Sequence, residues 1–404
     1  MKIAMMVRAY IPVPRPADMI YAPIDLAVQI AVGLTKRGHS VDFYAPLGSK
    51  IPGVTIKSAN IRPLVASQAE YKDLIFDIEK MNHYFPALWE GYLVKEMFDG
   101  ARAGKYDALH FHHPETALQM AYSHQDVPVL YTLHDPLYDW YKETYGMYSS
   151  ANQHFVSISN NQRRDAPDLN YVGTIYNGVS IKDYPFSDKA EDYLLYAGRI
   201  VPEKGIKEAI TVAKETHHRL LIIGPVYPGS QGYFDQYIKP HLDEQILYLG
   251  YVDQKQLPRY YQKAKALLTP VQWEEPFGLT TIEAMASGTP VISFRRGAAP
   301  EIIVDGKTGF VVDTTAEMID AVHKIKKIKR SDAREHVKAN FSLKNMVAGY
   351  EGAFETIISE QKITPRVVRR KLRRVPKIIR EASQKRHLKK MIKAKKLPVK
   401  PRPR

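Results

Sequence analysis

Short runs of aliphatic and β-branched residues alternate with longer amphipathic stretches along most of the chain, and few folds accept that pattern. Lys2–Val7 "KIAMMV", Val41–Ala45 "VDFYA", Ala108–His112 "ALHFH", Val127–His134 "VPVLYTLH" and His154–Ser159 "HFVSIS" read as buried parallel strands. Between the first two, "IDLAVQIAVGLTKRGHS" reads as a helix with Leu26, Ile30 and Leu34 on its apolar side, stopping at Gly38. After "TIYNGVS" the alternation restarts with "DYLLYAG", "RLLIIG", "QILYLG", "AKALLTP", "TPVISF" and "TGFVV". Strands and helices in alternation give parallel sheets covered on both faces. The chain therefore reads as α/β, with two doubly wound halves joined near Tyr176–Pro185 and facing a cleft, where the carboxyl ends of the strands open. Phe341–Ser359 reads as a final helix, and the absence of a repeat of 20–50 residues excludes a solenoid.

Charge is distributed unevenly. Of the net +15, the last forty-one residues, Thr364–Arg404, hold eighteen Lys/Arg and one acid, Glu381. The remaining residues carry 40 basic against 42 acidic side chains, so the body is nearly neutral. A nucleic-acid reading must then rest on the tail, which has no aromatic residue for base stacking. With Val367, Val368, Leu372, Val375, Ile379, Leu388, Met391 and Ile392 among its cations, the tail suits an anionic membrane surface better than nucleic acid. A disordered solubilising extension is the plain alternative. No apolar run is long enough to span a bilayer, and "MKIAMMVRAY" is too short an apolar run for a signal peptide. The absence of cysteine excludes disulfides and thiol chemistry, and a cytoplasmic protein, peripheral on the inner membrane face, is the expectation.

Chemistry concentrates in Trp273–Val312, "WEEPFGLTTIEAMASGTPVISFRRGAAPEIIVDGKTGFVV". Glu275 and Glu283 have seven residues between them. Pro276 keeps Glu275 out of a helix, Gly278 permits close backbone approach, and "LTTIEAMA" starts a helix that carries Glu283. The amides of Gly278, Leu279 and Thr280 would then lie free at the helix N-terminus, an anion site flanked by two carboxylates. A nucleotide sugar, with phosphates in its middle and hydroxyls at both ends, fits that arrangement. A surface acid plus a helix-stabilising acid is the alternative on spacing alone.

The segment "EPFGLTTIEAMASGTPV" resembles the E-x7-E signature of the retaining family-4 glycosyltransferases, and "GAAPEIIVDGKTGFVV" resembles the usual continuation. The resemblance covers Met1 to about Ser359 and implies a GT-B fold: an acceptor-side domain over 1–176, a nucleotide-sugar domain over 177–345 and a closing helix over 346–363, with the basic extension over 364–404 outside it. It implies that Glu275 holds donor-sugar hydroxyls, Glu283 the ribose, and the Phe277–Gly278–Leu279 backbone the sugar or phosphate oxygens. In "YAGRIVPEKG" it assigns Arg199 and Lys204 to the diphosphate, and in "VLYTLHDP" it places His134 near the donor sugar. In "LHFHHPE", His110 and His112 match a related H-x-H, with packing as the alternative role. The expected activity is transfer of a hexose from a nucleotide sugar, UDP-glucose or a relative, to an acceptor hydroxyl, a lipid or an envelope glycan precursor being favoured by the tail. No metal or cofactor is expected, since no D-x-D motif occurs and two cations with helix-end amides can stabilise the leaving diphosphate. A nucleotide-sugar-binding scaffold and a nucleic-acid binder are the rivals. One departure stands out: Ala22-Pro23 occupies the place of the family's Gly-Gly pair, and a proline there removes an amide that would approach phosphate.

Overall fold

The alternation folds into two all-parallel sheets. The computed structural model describes residues 1–17, 19–76 and 85–363, so the basic tail lies outside the described residues. The first sheet contains β1 (Lys2–Met6), β2 (Ser40–Tyr44), β3 (Thr55–Lys57), β4 (Ala108–Phe111), β5 (Val129–Thr132), β6 (Gln153–Ser157) and β7 (Tyr171–Thr174), in the order β3-β2-β1-β4-β5-β6-β7. The second contains β8 (Tyr193–Ala197), β9 (Arg219–Ile223), β10 (Ile246–Gly250), β11 (Ala266–Thr269), β12 (Val291–Phe294) and β13 (Gly309–Val312), in the order β10-β9-β8-β11-β12-β13. Each sheet reverses its strand order once, between β1 and β4 and between β8 and β11, and such switch points open crevices at the strands' carboxyl ends.

Successive strand residues feed opposite faces. Ile3 and Met5 of β1 enter one core and Ala4 and Met6 another, while Leu195 and Leu194 of β8 divide in the same way. Helix α1 (Ala22–Lys36) seals one face of the first sheet through Leu26, Ile30 and Leu34, and Gly38 follows it with φ at 90°. Further helices used below are α2 (Phe85–Arg102), α3 (Asp139–Met147), α4 (Leu257–Lys263), α5 (Leu279–Ala286), α6 (Ala299–Ile302) and α7 (Leu343–Ile363).

The closing helix α7 follows the second sheet in the chain but packs into the core of the first. Met346, Val347, Tyr350, Phe354 and Ile357 recur at helical spacing and are buried beside Ile3, Met5 and Leu34. Tyr350 and Phe354, fully buried, each contribute roughly 1.5–3 kcal/mol of transfer free energy. The Tyr350 hydroxyl reaches Thr132 Oγ1 at 3.0 Å, so the helix also grips the end of β5. A second tie between the two sheets' domains is Glu301 on α6. Its carboxylate accepts from the backbone N–H of Asn160 at 2.8 Å and Asn161 at 2.6 Å, and from the Tyr176 hydroxyl at 2.8 Å. Among the described residues no helix is long and apolar enough to cross a membrane.

Candidate functional site

The switch point of the second sheet brings together two loops whose meeting residues, Lys204 and Glu275, lie 71 positions apart in the chain. The loop leaving β8 carries Arg199 and ends on a short 3-10 turn, Pro202–Lys204. The loop leaving β11 carries Trp273 and Glu275. Because β8 and β11 are neighbours, the two loops meet: Lys204 Nζ forms an ion pair with Glu275 Oε2. Trp273 Nε1 donates to the same oxygen at 2.9 Å, and the Lys204 ammonium stands 5.1 Å from the Trp273 ring centre. Glu275 Oε1 has no protein partner among the described residues. The pair is about one-fifth exposed on each side, so it is open to a ligand while partly sheltered from solvent.

The chain following β12 fastens this loop. Ala298 N–H donates to the Glu275 carbonyl at 3.0 Å, and Gly297 N–H to the Glu274 carboxylate at 2.8 Å. Gly297 has φ at 54°, and a Cβ there would lie 2.1 Å from the Glu275 carbonyl oxygen, so glycine is required on both counts. The "GAAPE" run thereby acts as a brace under Glu275.

Gly278, with φ at 91°, caps α5 and turns the chain into it. The N–H groups of Gly278, Leu279 and Thr280 have no acceptor among the described residues, while Thr281 N–H already bonds the Gly278 carbonyl. Three free donors and the positive end of the helix dipole thus stand beside Glu275, whose Cγ would lie 3.8 Å from a Cβ at Gly278, and Glu275 in turn pairs with Lys204. Phe277 is buried against Tyr176 and Phe341, which locks the loop, and the Leu279 side chain packs against the cores of both domains. Glu283 lies within α5, where Tyr261 of α4 donates to it at 3.0 Å and Tyr184 adds a second hydrogen bond. Burial pushes its carboxyl above the usual range; those hydrogen bonds pull it down, and Asp25 across the cleft adds to the rise.

Arg199 shares the loop but makes no hydrogen bond or ion pair with Lys204 or Glu275. Its carbonyl accepts from the Tyr196 hydroxyl at 3.1 Å, and its guanidinium has neither a hydrogen bond nor an ion pair among the described residues.

His134 sits at the end of β5 in a cluster of the first domain. Its Nε2 lies 2.8 Å from His112 Nδ1, with the two rings stacked at 5.1 Å. Burial depresses His110 to about 3 and pushes His112 and His134 well below their ordinary value, with neighbouring histidines adding to the shift for the latter two. These imidazoles are neutral, so His134 offers a donor or an acceptor at Nδ1 rather than a charge. His110 instead bonds Thr132 Oγ1 at 2.9 Å and packs on Tyr350 and Phe354, a structural placement. No hydrogen bond, ion pair or ring contact among the described residues joins the His134 cluster to the Lys204–Glu275 pair. Nor does any group of three or more His, Asp or Glu there have the geometry of a metal site.

Several residues at these sites have no motif of their own. Arg8, leaving β1 at the other switch point, pairs with Glu90 of α2 and with Glu115, both at 3.0 Å. The Tyr21 hydroxyl lies 2.5 Å from His113 Nε2. Asp25, in the first turn of α1, pairs with Arg15 at 2.9 Å, so a carboxylate occupies the positive end of the helix that starts at Ala22-Pro23. Trp273 alone carried a local signal, as the residue opening the acidic motif. Tyr261, Arg8 and Glu115 reach their partners across 22, 82 and 107 residues.

With this geometry in place, comparison with known proteins is decisive. The family model described as "Glycosyltransferase Family 4" matches residues 25–183, and that described as "Glycosyl transferases group 1" matches residues 181–342. The chain belongs to the family-4 glycosyltransferases. An uncharacterised 41.2 kDa protein in the cps region of Klebsiella pneumoniae is 30% identical over 202 residues, which is 45% of this chain and 54% of that protein. The chain thus spans about half the length of that relative. Among solved structures, sucrose-phosphate synthase from Thermosynechococcus elongatus superposes with a TM-score of 0.67 at 18% identity, covering 89% of this chain and all of that one. Anabaena HepE, solved with UDP and glucose, gives a TM-score of 0.65 at 15% identity, covering 88% of this chain and 100% of its own. At these identities the shared property is the GT-B fold, and this family-4 glycosyltransferase has it. Its two switch-point crevices are where such a fold puts ligands.

Proposed function

We propose that the protein is a retaining, metal-independent hexosyltransferase that takes its sugar from a nucleotide sugar, with UDP-sugars favoured. The observation that carries this reading is the Lys204–Glu275 pair beside three unpartnered amides at the start of α5. A diphosphate satisfies all of them together: its oxygens accept from the amides and from Lys204, with the free Arg199 guanidinium within the same loop. Glu275, with Oε1 unengaged, accepts from hydroxyls of the transferred sugar, and Glu283 takes the ribose. Neutral His134 donates to or accepts from the sugar on the opposite wall of the cleft.

During transfer the bond between the anomeric carbon and the β-phosphate oxygen breaks, and the acceptor oxygen bonds the same face of that carbon. The acceptor proton passes to the departing phosphate oxygen. Charge that builds on the diphosphate is met by preorganised donors and cations, which is where such a site lowers the barrier. Domain closure about the Glu301 tie and α7 brings the two walls together on the donor. The copy of HepE solved with UDP and glucose supports the choice of nucleotide. The tail, Thr364–Arg404, suits attachment to anionic lipid, and vesicle flotation with and without it tests that assignment.

The experiment is incubation of the full chain with a panel of nucleotide sugars, read by mass spectrometry. Release of nucleoside diphosphate from one donor, with slow transfer to water in the absence of acceptor, is the expected result. Binding without turnover of any donor would favour a scaffold, and a steep salt dependence of RNA binding lost with the tail would favour a nucleic-acid binder.

A further inference from the structure

The pocket that contains His134 continues outward along a series of aromatic rings that donor binding leaves unexplained. Glu115, His134, Tyr141 and Tyr145 line the pocket itself. Tyr145 is buried, and its ring centre lies 5.7 Å from that of Tyr141. Tyr141 in turn stands 5.8 Å from Trp140 and 6.4 Å from Tyr138. Tyr138 and Trp140 stack on each other at 4.7 Å and are 45% and 61% exposed. Two large rings held face to face in solvent at the start of α3 gain nothing from the protein's own core. They are rigid, amphipathic surfaces of the type that interfaces use.

The polar groups around the rings narrow the class of ligand. Glu115 Oε1 accepts from Arg8 at 3.0 Å, and the carboxylate also meets His113 and its own backbone N–H, yet the side chain is 40% exposed and keeps lone pairs open to a further donor. Burial pushes the Glu115 carboxyl up, but the His113 hydrogen bond and the Arg8 guanidinium hold it at about 2, so it accepts hydrogen bonds and donates none. Arg8 is already matched by two carboxylates and has no charge to spare for a phosphate. The segment bearing the rings exposes Asp135, Asp139 and Glu143 against Lys142, an acidic surface that repels anionic lipid headgroups. A neutral ligand with apolar C–H faces and many hydroxyl donors fits all of these features. A saccharide is such a molecule.

We propose that this pocket and its aromatic series form the acceptor subsite for a saccharide: one hydroxyl donates to Glu115 near His134, and the C–H faces of the sugar units lie on Tyr141, Tyr138 and Trp140. The inference rests on the transferase reading given above and adds the chemical class of the acceptor to it. It also assigns a role to the Arg8–Glu90 pair, which holds Glu115 in place from behind.

The test uses the full chain with the donor identified in the panel and, as acceptors, octyl glycosides of glucose, galactose, mannose and N-acetylglucosamine. At least one glycoside should accept the sugar. In W140A its KM should rise about tenfold, with the KM for donor within twofold of wild type, and W140F should recover most of the loss. Y138A should act in the same direction. A glycoside KM unchanged in W140A and Y138A overturns the proposal. So does transfer to sugar-free polyprenol or octanol with every glycoside ignored. Loss of flotation with phosphatidylglycerol vesicles in W140A, without a change in glycoside KM, would reassign the rings to a membrane. A chain that neither binds UDP nor releases it from any donor would instead refute the transferase reading itself, a result distinguishable from an unaffected acceptor KM.

Discussion

Replacing Glu275 with glutamine separates the two roles proposed for the acid, because its carboxylate pairs with Lys204, the lysine proposed to meet the diphosphate. Lys204 Nζ pairs with Glu275 Oε2, and both side chains are about 20% exposed. At that exposure the pair is worth about 1 kcal/mol after solvent screening, so freeing Lys204 should tighten UDP roughly fivefold. The glutamine amide keeps the shape but loses the charge-assisted hydrogen bonds to the sugar, each worth roughly 1.5–3 kcal/mol, so transfer should fall about 10- to 150-fold in kcat/KM. E275Q should therefore bind UDP more tightly while turning over UDP-sugar more slowly. Lys204→Met, by contrast, should weaken UDP and turnover together. Calorimetric titration with UDP and single-turnover assays with UDP-glucose measure the two quantities. If E275Q lost UDP affinity in parallel with activity, the carboxylate would not be competing with phosphate for Lys204, and the assignment of the two residues would fail.

Three further perturbations test the scaffold. Gly297→Ala puts a Cβ into the Glu275 carbonyl at a left-handed φ, so it should cost more than about 2 kcal/mol in urea unfolding and depress turnover; wild-type stability would contradict the brace. Glu301→Ala removes the acceptor of two backbone amides and the Tyr176 hydroxyl, and should lower stability by about 2 kcal/mol and speed proteolysis near Asn160; an unchanged cleavage pattern would exclude Glu301 as the tie. His110 titrates near 3 when folded and near its ordinary value of about 6.5 when unfolded. Below that upper value the unfolded chain binds the extra proton, so stability should fall by about 1.4 kcal/mol per pH unit from this group alone, down to pH 3. Urea midpoints that stay level between pH 7.5 and 5.5 would show that the cluster does not remain neutral on folding.

The loop around Glu275 and the start of α5 were largely legible before folding because their determinants are local. Pro276 and Gly278 decide within a few residues where α5 begins, so the free amides and the placement of Glu275 before the helix follow from short-range backbone preference. Lys204 was found by a motif, but its contact with Trp273 and Glu275 required β8 and β11 to be neighbours. The first domain's site was less legible. His134 was marked by its strand end, whereas the Glu115–Arg8–Glu90 chain gave no signal, since salt bridges across 82 and 107 residues leave no trace in spacing. The aromatic run "YDWYKETYGMY" was visible as composition, yet helical rotation alone settled that Tyr145 is buried and Trp140 stands in solvent.

The period of the apolar residues was enough to require parallel sheets with helices on both faces, since only that architecture buries such strands on two sides. The return of α7 to the core of the first sheet, the grip of Tyr261 on Glu283 and the neutrality of the clustered histidines emerged on folding. Backbone preference acts over a few residues and can be read along the chain. Which distant side chains share a low-dielectric space depends on strand order, and strand order is the outcome of all the packing contacts together.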